Sequence, residues 1–358
     1  MEVVFLGTSG GAPTKRRNMQ SLVVRLESGD GILIDCGEGT QQQLLKSDLK
    51  WSNVGHVLVT HLHGDHSFGL PGVLCFLDSA APSGQPLRVA GPVGVRSFLR
   101  ATLGSSRTRL GRGFVVTELA GGPDDDEAPP ELPPHPDEHS GRDAILEKER
   151  WAVFDAGFAT VDAAPIDHAG VPCVAYRVVE PPRPGKVRAE VVKARATEAG
   201  DEPKRIFAAI RERGRADLSD GTSLEPSDVF LGGRATKPGR RVVVFGDCRP
   251  ARRDAALALA EGADLVVHEA TLEDALEDIA YERGHSTPKA AGRLARDARA
   301  AKLALWHFSP RYDRASDGDD AWERLFLKQA RSCDQDRPFN GDLVLASDFL
   351  KLHIPRRA

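Results

Sequence analysis

Positions 61 to 66 of this 358-residue chain read His-Leu-His-Gly-Asp-His, directly after the strand-like run His56–Thr60. Four side chains with metal-binding atoms thus fall within six positions. Imidazole nitrogens and carboxylate oxygens suit zinc or a similar first-row ion. In an extended backbone, His61 and His63 share one side. Gly64 permits a sharp turn, so Asp65 and His66 can face a second ion. A lone histidine is more often a packed or surface residue. This density of donors at a strand end instead requires a fold that brings further donors to the same point.

Three such donors end apolar runs elsewhere. His168 lies in Pro165-Ile166-Asp167-His168, just before the strand Cys173–Val179. Asp247 lies in Val244-Phe245-Gly246-Asp247-Cys248, and His307 in Leu305-Trp306-His307-Phe308-Ser309. Each alone reads equally well as a turn-capping Asp or a packed His. Together they fit a sheet that delivers side chains to a shared rim. The remaining pattern supports such a sheet. Strands are predicted at Glu2–Leu6, Ser21–Leu26, Gly31–Asp35, Arg241–Phe245, Asp264–His268 and Leu303–Trp306. Helices are predicted at Glu38–Ser47, Gly69–Leu77, Ala251–Glu261 and Pro288–Ala298. Alternation of this kind packs as mixed sheets covered by helices, an α/β fold.

The composition is 28 % charged and 41 % hydrophobic, with a net charge of −4. No run approaches the roughly 18–20 apolar residues of a membrane helix, so no membrane partner is expected. The opening residues lack the basic-then-apolar pattern of a secretory signal. Five scattered cysteines, none in a C-x-x-C pair, fit reduced thiols in a cytoplasmic protein. Two stretches break the α/β pattern. Residues 123–139 hold seven acidic residues, several prolines and no Lys or Arg, which predicts a mobile acidic surface insertion. Residues 181–241 hold 14 Lys and Arg against 9 Asp and Glu, with few residues able to form a core.

Taken together, these segments resemble the metallo-β-lactamase fold, and specifically the short-form ribonuclease Z family. The matching pieces are Phe5–Thr14 with Arg17-Asn18, then Asp35-Cys36-Gly37-Glu38-Gly39-Thr40-Gln41, the His61–His66 motif and Gly69-Leu70-Pro71-Gly72. They continue through His268-Glu269-Ala270-Thr271, His285-Ser286-Thr287 and His307. The resemblance implies one domain over residues 1–358, an αββα sandwich of two mixed sheets flanked by helices. It implies two zinc ions per subunit and no organic cofactor. His61, His63 and His168 would hold one ion, and Asp65, His66 and His307 the other. Asp247 would bridge them, and Asp35 would orient a ligand histidine. Asp65 would serve as general base, and His285, held by Glu269, as the acid for the leaving oxygen. The implied reaction removes the 3′ trailer of precursor tRNA after the discriminator nucleotide. The arm at residues 181–241 would grip the RNA, with Lys186, Arg188, Lys193, Arg195, Lys204 and Arg205 as candidate phosphate contacts. A homodimer is implied, one subunit's arm serving its partner's site.

The sequence departs from the family pattern in four places, one being the acidic stretch 123–139, which has no counterpart there. The arm lacks a Pro-Pro-Gly-Pro turn, Ala175 stands where a Gly is expected, and Cys248 stands where a Thr is usual. Two other readings stay open on the residues alone. One is a hydrolase of the same fold acting on small phosphodiesters, aryl sulfates, thioesters or lactams. The other is a catalytically inactive RNA-binding subunit, which predicts lost ligands.

Overall fold

The structure is a computed structural model and describes residues 1–81, 83–125, 129–250, 254–314, 321–334 and 336–356. It divides into two compact units, Met1–Val179 with Arg241–Ile354, and Glu180–Arg240 with the described residues after Ile354.

The larger unit is built on strands whose alternate residues serve different layers, because successive side chains point to opposite faces. In Glu2–Gly7, Val3 and Phe5 enter one core, while Val4 and Leu6 enter another. In Arg241–Phe245, Val242 and Val244 join the core of Val3 and Phe5, while Val243 and Phe245 join a third. The shared core therefore lies between two sheets. The second core packs one sheet against helices Thr40–Lys46, Leu70–Ala80 and Val95–Ser105 through Leu44, Leu74 and Leu99. The third packs the other sheet against Asp254–Ala260, Pro288–Asp297 and Ala321–Arg331 through Leu259, Leu294 and Phe326. Three cores in sequence make four layers, the expected αββα sandwich.

Both sheets are mixed. The first runs in the order Lys351–His353, Glu2–Gly7, Ser21–Arg25, Gly31–Ile34, Val54–Leu58, Leu87–Pro92, Phe114–Ala120 and Glu138–His139. Ala144–Ile145 also pairs with Phe114–Ala120. The second runs Asp342–Leu345, Lys302–Trp306, Leu265–Glu269, Arg241–Phe245, Val171–Val179, Thr160–His168 and Trp151–Asp155. One clamp between the sheets bears on the site. The buried Tyr176 hydroxyl donates to the Val59 carbonyl at 2.8 Å, and Val174 N–H donates to the Thr60 carbonyl at 3.0 Å. The backbone that launches the His61–His66 motif is thus tied to the opposite sheet.

The acidic stretch is more ordered than its composition suggests, within its described residues; 126–128 lie outside them. Arg100 grips Glu138 at 2.6 and 3.0 Å, Arg109 pairs with Asp137 at 2.6 Å, and His135 is buried. Cations on and after the helix Val95–Ser105 supply the partners that the stretch itself lacks.

The smaller unit has a core of its own. Helices Ala189–Glu198 and Pro203–Arg213 bring Val192, Ala196, Ile206 and Ile210 against Val229 and Phe230. Two short antiparallel ladders, Arg183–Pro184 with Thr236–Lys237 and Ala216–Asp217 with Ser223–Leu224, complete it. The Arg240 guanidinium forms a bidentate, buried pair with Glu180 at 2.6 and 2.9 Å. Composition alone missed this core because its few apolar residues are spread over short elements.

Candidate metal centre

The functional side chains sit where strands of both sheets end. His61, His63, Asp65 and His66 follow Val54–Leu58, and a short helical turn, Gly64–Ser67, swings Asp65 and His66 round. His168 ends Thr160–His168, and Asp247 follows Arg241–Phe245 by two residues. Glu269 ends Leu265–Glu269, and His307 follows Lys302–Trp306.

The structure brings all seven expected donors together. Ligand atoms of His61, His63 and His168 lie within 4.8 Å of one another, as do those of Asp65, His66, Asp247 and His307. Asp247 touches both groups. Its carboxylate lies 3.9 Å from His61 Nε2, 3.4 Å from His66 Nε2 and 3.2 Å from His307 Nε2. His168 Nε2 is 3.2 Å from His63 Nδ1.

These donors fit a metal. Buried polar atoms normally find hydrogen-bond partners. Yet His61 Nε2, His66 Nε2 and Asp247 Oδ1 are buried with none, and all three atoms face the cluster. The protonation of His61 and Asp247 also suits cations, since ligands must be neutral imidazoles or ionised carboxylates, whereas Asp247 and Asp35 hold the His66 imidazole above its usual pKa against burial. Burial, with His66 beside it, drives the His61 imidazole well below its usual pKa. Burial opposes ionisation of Asp247, but His307 and His66 outweigh it and hold its carboxyl well below the usual range.

Neighbouring groups fix the outer nitrogens. His66 Nδ1 donates to Asp35 Oδ2 at 2.7 Å, and Asp35 also accepts from the Thr60 N–H and hydroxyl. His168 Nδ1 donates to the Gly284 carbonyl at 2.8 Å. His307 Nδ1 lies 2.8 Å from the Thr271 hydroxyl. Asp35 and His307 both hold positive φ, 60° and 59°, a strained conformation for non-glycine residues that clusters at functional sites. Gly10 is required for space: a Cβ there would lie 2.5 Å from the His307 ring. The Gly11 N–H donates to Asp65 Oδ2 at 2.6 Å.

His285 stands at the edge of the cluster, its Nδ1 3.1 Å from Glu269 Oε1 and 3.7 Å from Asp247 Oδ2. Burial disfavours its charge, yet Glu269 and then Asp247 outweigh that and raise its pKa to about 9. Both carboxylates thus favour the protonated imidazole. A pocket of about 250 Å³ opens on His63, Asp65, Asp247, His285 and His307, and Arg283 and Arg311 also line it.

Three groups here carry no signal in a residue-by-residue reading: the Thr271 hydroxyl, the Gly11 amide and the Gly284 carbonyl. Two of them are backbone, and Thr271 is only a threonine until the fold sets it against His307. The six candidate phosphate contacts all lie in the smaller unit. Lys193 pairs with Glu190, Arg195 with Glu198, and Arg205 with Asp201. Lys186, Arg188 and Lys204 are exposed, with no ion pair among the described residues.

The comparisons with known proteins bear on this arrangement. Human zinc phosphodiesterase ELAC protein 1 is 37 % identical over 375 residues, covering 99 % of both chains. The chain belongs to the short-form ribonuclease Z family. Ribonuclease BN of Escherichia coli is 37 % identical over 318 residues, covering 87 % of this chain and 90 % of that protein. The crystal structure of human tRNase Z, short form, superposes with a TM-score of 0.67 at 31 % identity, covering 99 % of this chain and 100 % of that one. Two family models also match: "Anti-Pycsar protein Apyc1" over residues 1–80 and "Beta-lactamase superfamily domain" over residues 135–308. This family and its metallo-β-lactamase fold are those that the sequence resemblance named.

Proposed function

We propose that this protein is a zinc-dependent endoribonuclease that removes the 3′ trailer of precursor tRNA. One observation carries the reading. The His285–Glu269 pair stands directly against the seven-donor cluster, in a chain that matches ELAC protein 1 from end to end.

In this reading His61, His63 and His168 would hold one zinc ion, Asp65, His66 and His307 a second, and Asp247 both. When bound, such ions supply Lewis acidity, which brings the acidity of water near neutral pH and offsets phosphodiester charge. The chain's own residues do the rest. Asp65, its carboxylate held by the Gly11 amide, accepts the proton of the attacking water. His285, charged through Glu269, gives a proton to the leaving 3′ oxygen. Asp35 orients His66. Arg283 and Arg311 at the pocket wall add positive charge where a polyanion enters.

The smaller unit supplies the RNA contacts, with Lys186, Arg188 and Lys204 the most available and Lys193, Arg195 and Arg205 already paired. Such contacts are sequence-independent and weaken with salt. The protein acts in the cytoplasm, in keeping with five free cysteines, and as a homodimer. Light scattering checks the last point, and a monomer mass would remove it.

The deciding experiment offers the zinc-loaded chain a precursor tRNA with a 3′ trailer and, separately, bis(p-nitrophenyl) phosphate. Cleavage after the discriminator nucleotide is expected. Hydrolysis of the small ester alone would refute the tRNA reading. Removing residues 186–238 is expected to weaken precursor cleavage and spare the small ester.

A further inference from the structure

Thr271 lies two residues beyond the strand Leu265–Glu269 and closes the segment His268-Glu269-Ala270-Thr271, in which the sequence reading assigned a role to Glu269 alone. Thr271 is buried, and its hydroxyl has two close partners beside a longer, 3.5 Å contact with His285 Nδ1. Oγ1 lies 2.8 Å from His307 Nδ1 and 2.5 Å from Glu269 Oε2.

A hydroxyl has a single hydrogen to give. The Glu269 carboxylate is ringed by donors. Cys248 N–H donates to Oε1 at 2.7 Å, and His285 Nδ1 lies 3.1 Å from the same oxygen. Thr271 N–H donates to Oε2 at 3.3 Å. Glu269 therefore accepts, and the Thr271 hydrogen points to it. Only lone pairs remain on Oγ1 for His307, so His307 Nδ1 must carry the proton. In the neutral ring that metal ligation requires, its Nε2 then presents a bare lone pair, 3.3 Å from Asp65 Oδ2 and 3.2 Å from Asp247 Oδ2. A lone pair facing two carboxylate oxygens is repulsive unless a cation lies between them.

We propose that Thr271 is a positioning residue that relays Glu269 to His307, fixing the tautomer that turns Nε2 toward the metal. One buried carboxylate then governs two imidazoles. Glu269 Oε1 orients His285, and Glu269 Oε2 orients His307 through the Thr271 hydroxyl. The His307–Thr271–Glu269 chain is a one-step-longer counterpart of His66–Asp35, in which the carboxylate meets the ring directly. His307 makes this contact from a positive φ of 59°, a conformation with a backbone cost for a non-glycine residue.

The inference rests on the zinc reading above but not on the choice of RNA substrate, so its test uses no RNA. Zinc affinity of the full chain is measured by chelator competition for the wild type, Thr271→Val and Thr271→Ser. Valine keeps the shape and removes the relay. It is expected to weaken one zinc equivalent by about 10–100-fold, and serine, which keeps the hydroxyl, to restore it. Wild-type affinity in Thr271→Val would overturn the relay, as would equal losses in both variants, which would mean that any change of shape at this position, and not loss of the hydroxyl, disturbs the site. Should Thr271→Val fail to fold, the zinc-loaded wild type still decides the matter through long-range ¹H–¹⁵N spectra of its histidines. A protonated Nδ1 on His307 is expected, and a metal-bound or unprotonated Nδ1 would overturn the proposal. A wild-type chain that binds no zinc would instead remove the metal reading itself.

Discussion

Asp35 Oδ2 lies 2.7 Å from His66 Nδ1, and both side chains are fully buried. The same carboxylate takes the Thr60 N–H and hydroxyl, so it cannot rotate away from the ring. An amide at this place offers the imidazole a donor where it needs an acceptor. Asp35→Asn is expected to weaken zinc binding by about 10–100-fold, or about 1.4–2.7 kcal/mol. Chelator competition measures it, and unchanged affinity would show that the pair is not tuning a ligand.

In the proposed reading, Asp247 and His285 separate metal binding from proton transfer. Asp247 reaches both donor groups, whereas His285 faces the pocket beside Glu269. Asp247→Ala is expected to lose zinc. His285→Ala is expected to keep it while precursor cleavage falls by about 10²–10⁴-fold. Elemental analysis beside a cleavage assay tests both, and full zinc occupancy in Asp247→Ala would contradict the bridging role.

His56 makes stability depend on pH. Its ring packs on Phe154 and Phe158 at 4.6 and 5.5 Å, with Arg88 opposite it on the next strand. Burial, then Arg88, lowers its pKa to about 4, which Asp30 only partly offsets. The unfolded chain takes up the proton near pH 6.5, and the folded chain only near pH 4. Protonation thus favours unfolding, and stability falls as pH drops from 6.5 to 4, by at most about 3 kcal/mol from this group. In His56→Phe this component should vanish. Urea melts at pH 7 and pH 4.5 compare the two, and equal pH slopes would exclude the assignment.

Tyr176 ties the two sheets behind the site. Phenylalanine at this position keeps the ring and leaves the buried Val59 carbonyl without its 2.8 Å donor. Tyr176→Phe is expected to cost about 1–3 kcal/mol of stability. Chemical denaturation reads the change, and a loss below about 0.5 kcal/mol would mean that the clamp contributes little.

The αββα layering was legible because β-strand alternation writes each layer into the sequence: Val3 and Phe5 against Val4 and Leu6, Val242 and Val244 against Val243 and Phe245. The candidate donors stood out because they fall at or just after the ends of apolar runs, and the structure gathers them. Two stretches were misread by composition. Residues 129–139 looked loose because their ionic partners, Arg100 and Arg109, lie elsewhere in the chain. Residues 181–241 looked coreless because nine buried apolar side chains gather only after short helices and ladders fold.

The sequence alone determined which atoms could bind a metal, since imidazole and carboxylate chemistry and their strand-end spacing are local properties. Only the tertiary structure decided which face of each ring is free. That depends on contacts across great distances in the chain: Asp35 with His66, Gly284 with His168, and Thr271 with His307. A histidine's two nitrogens are distinguished by whichever acceptor the fold places against one of them, and no residue spacing encodes that choice.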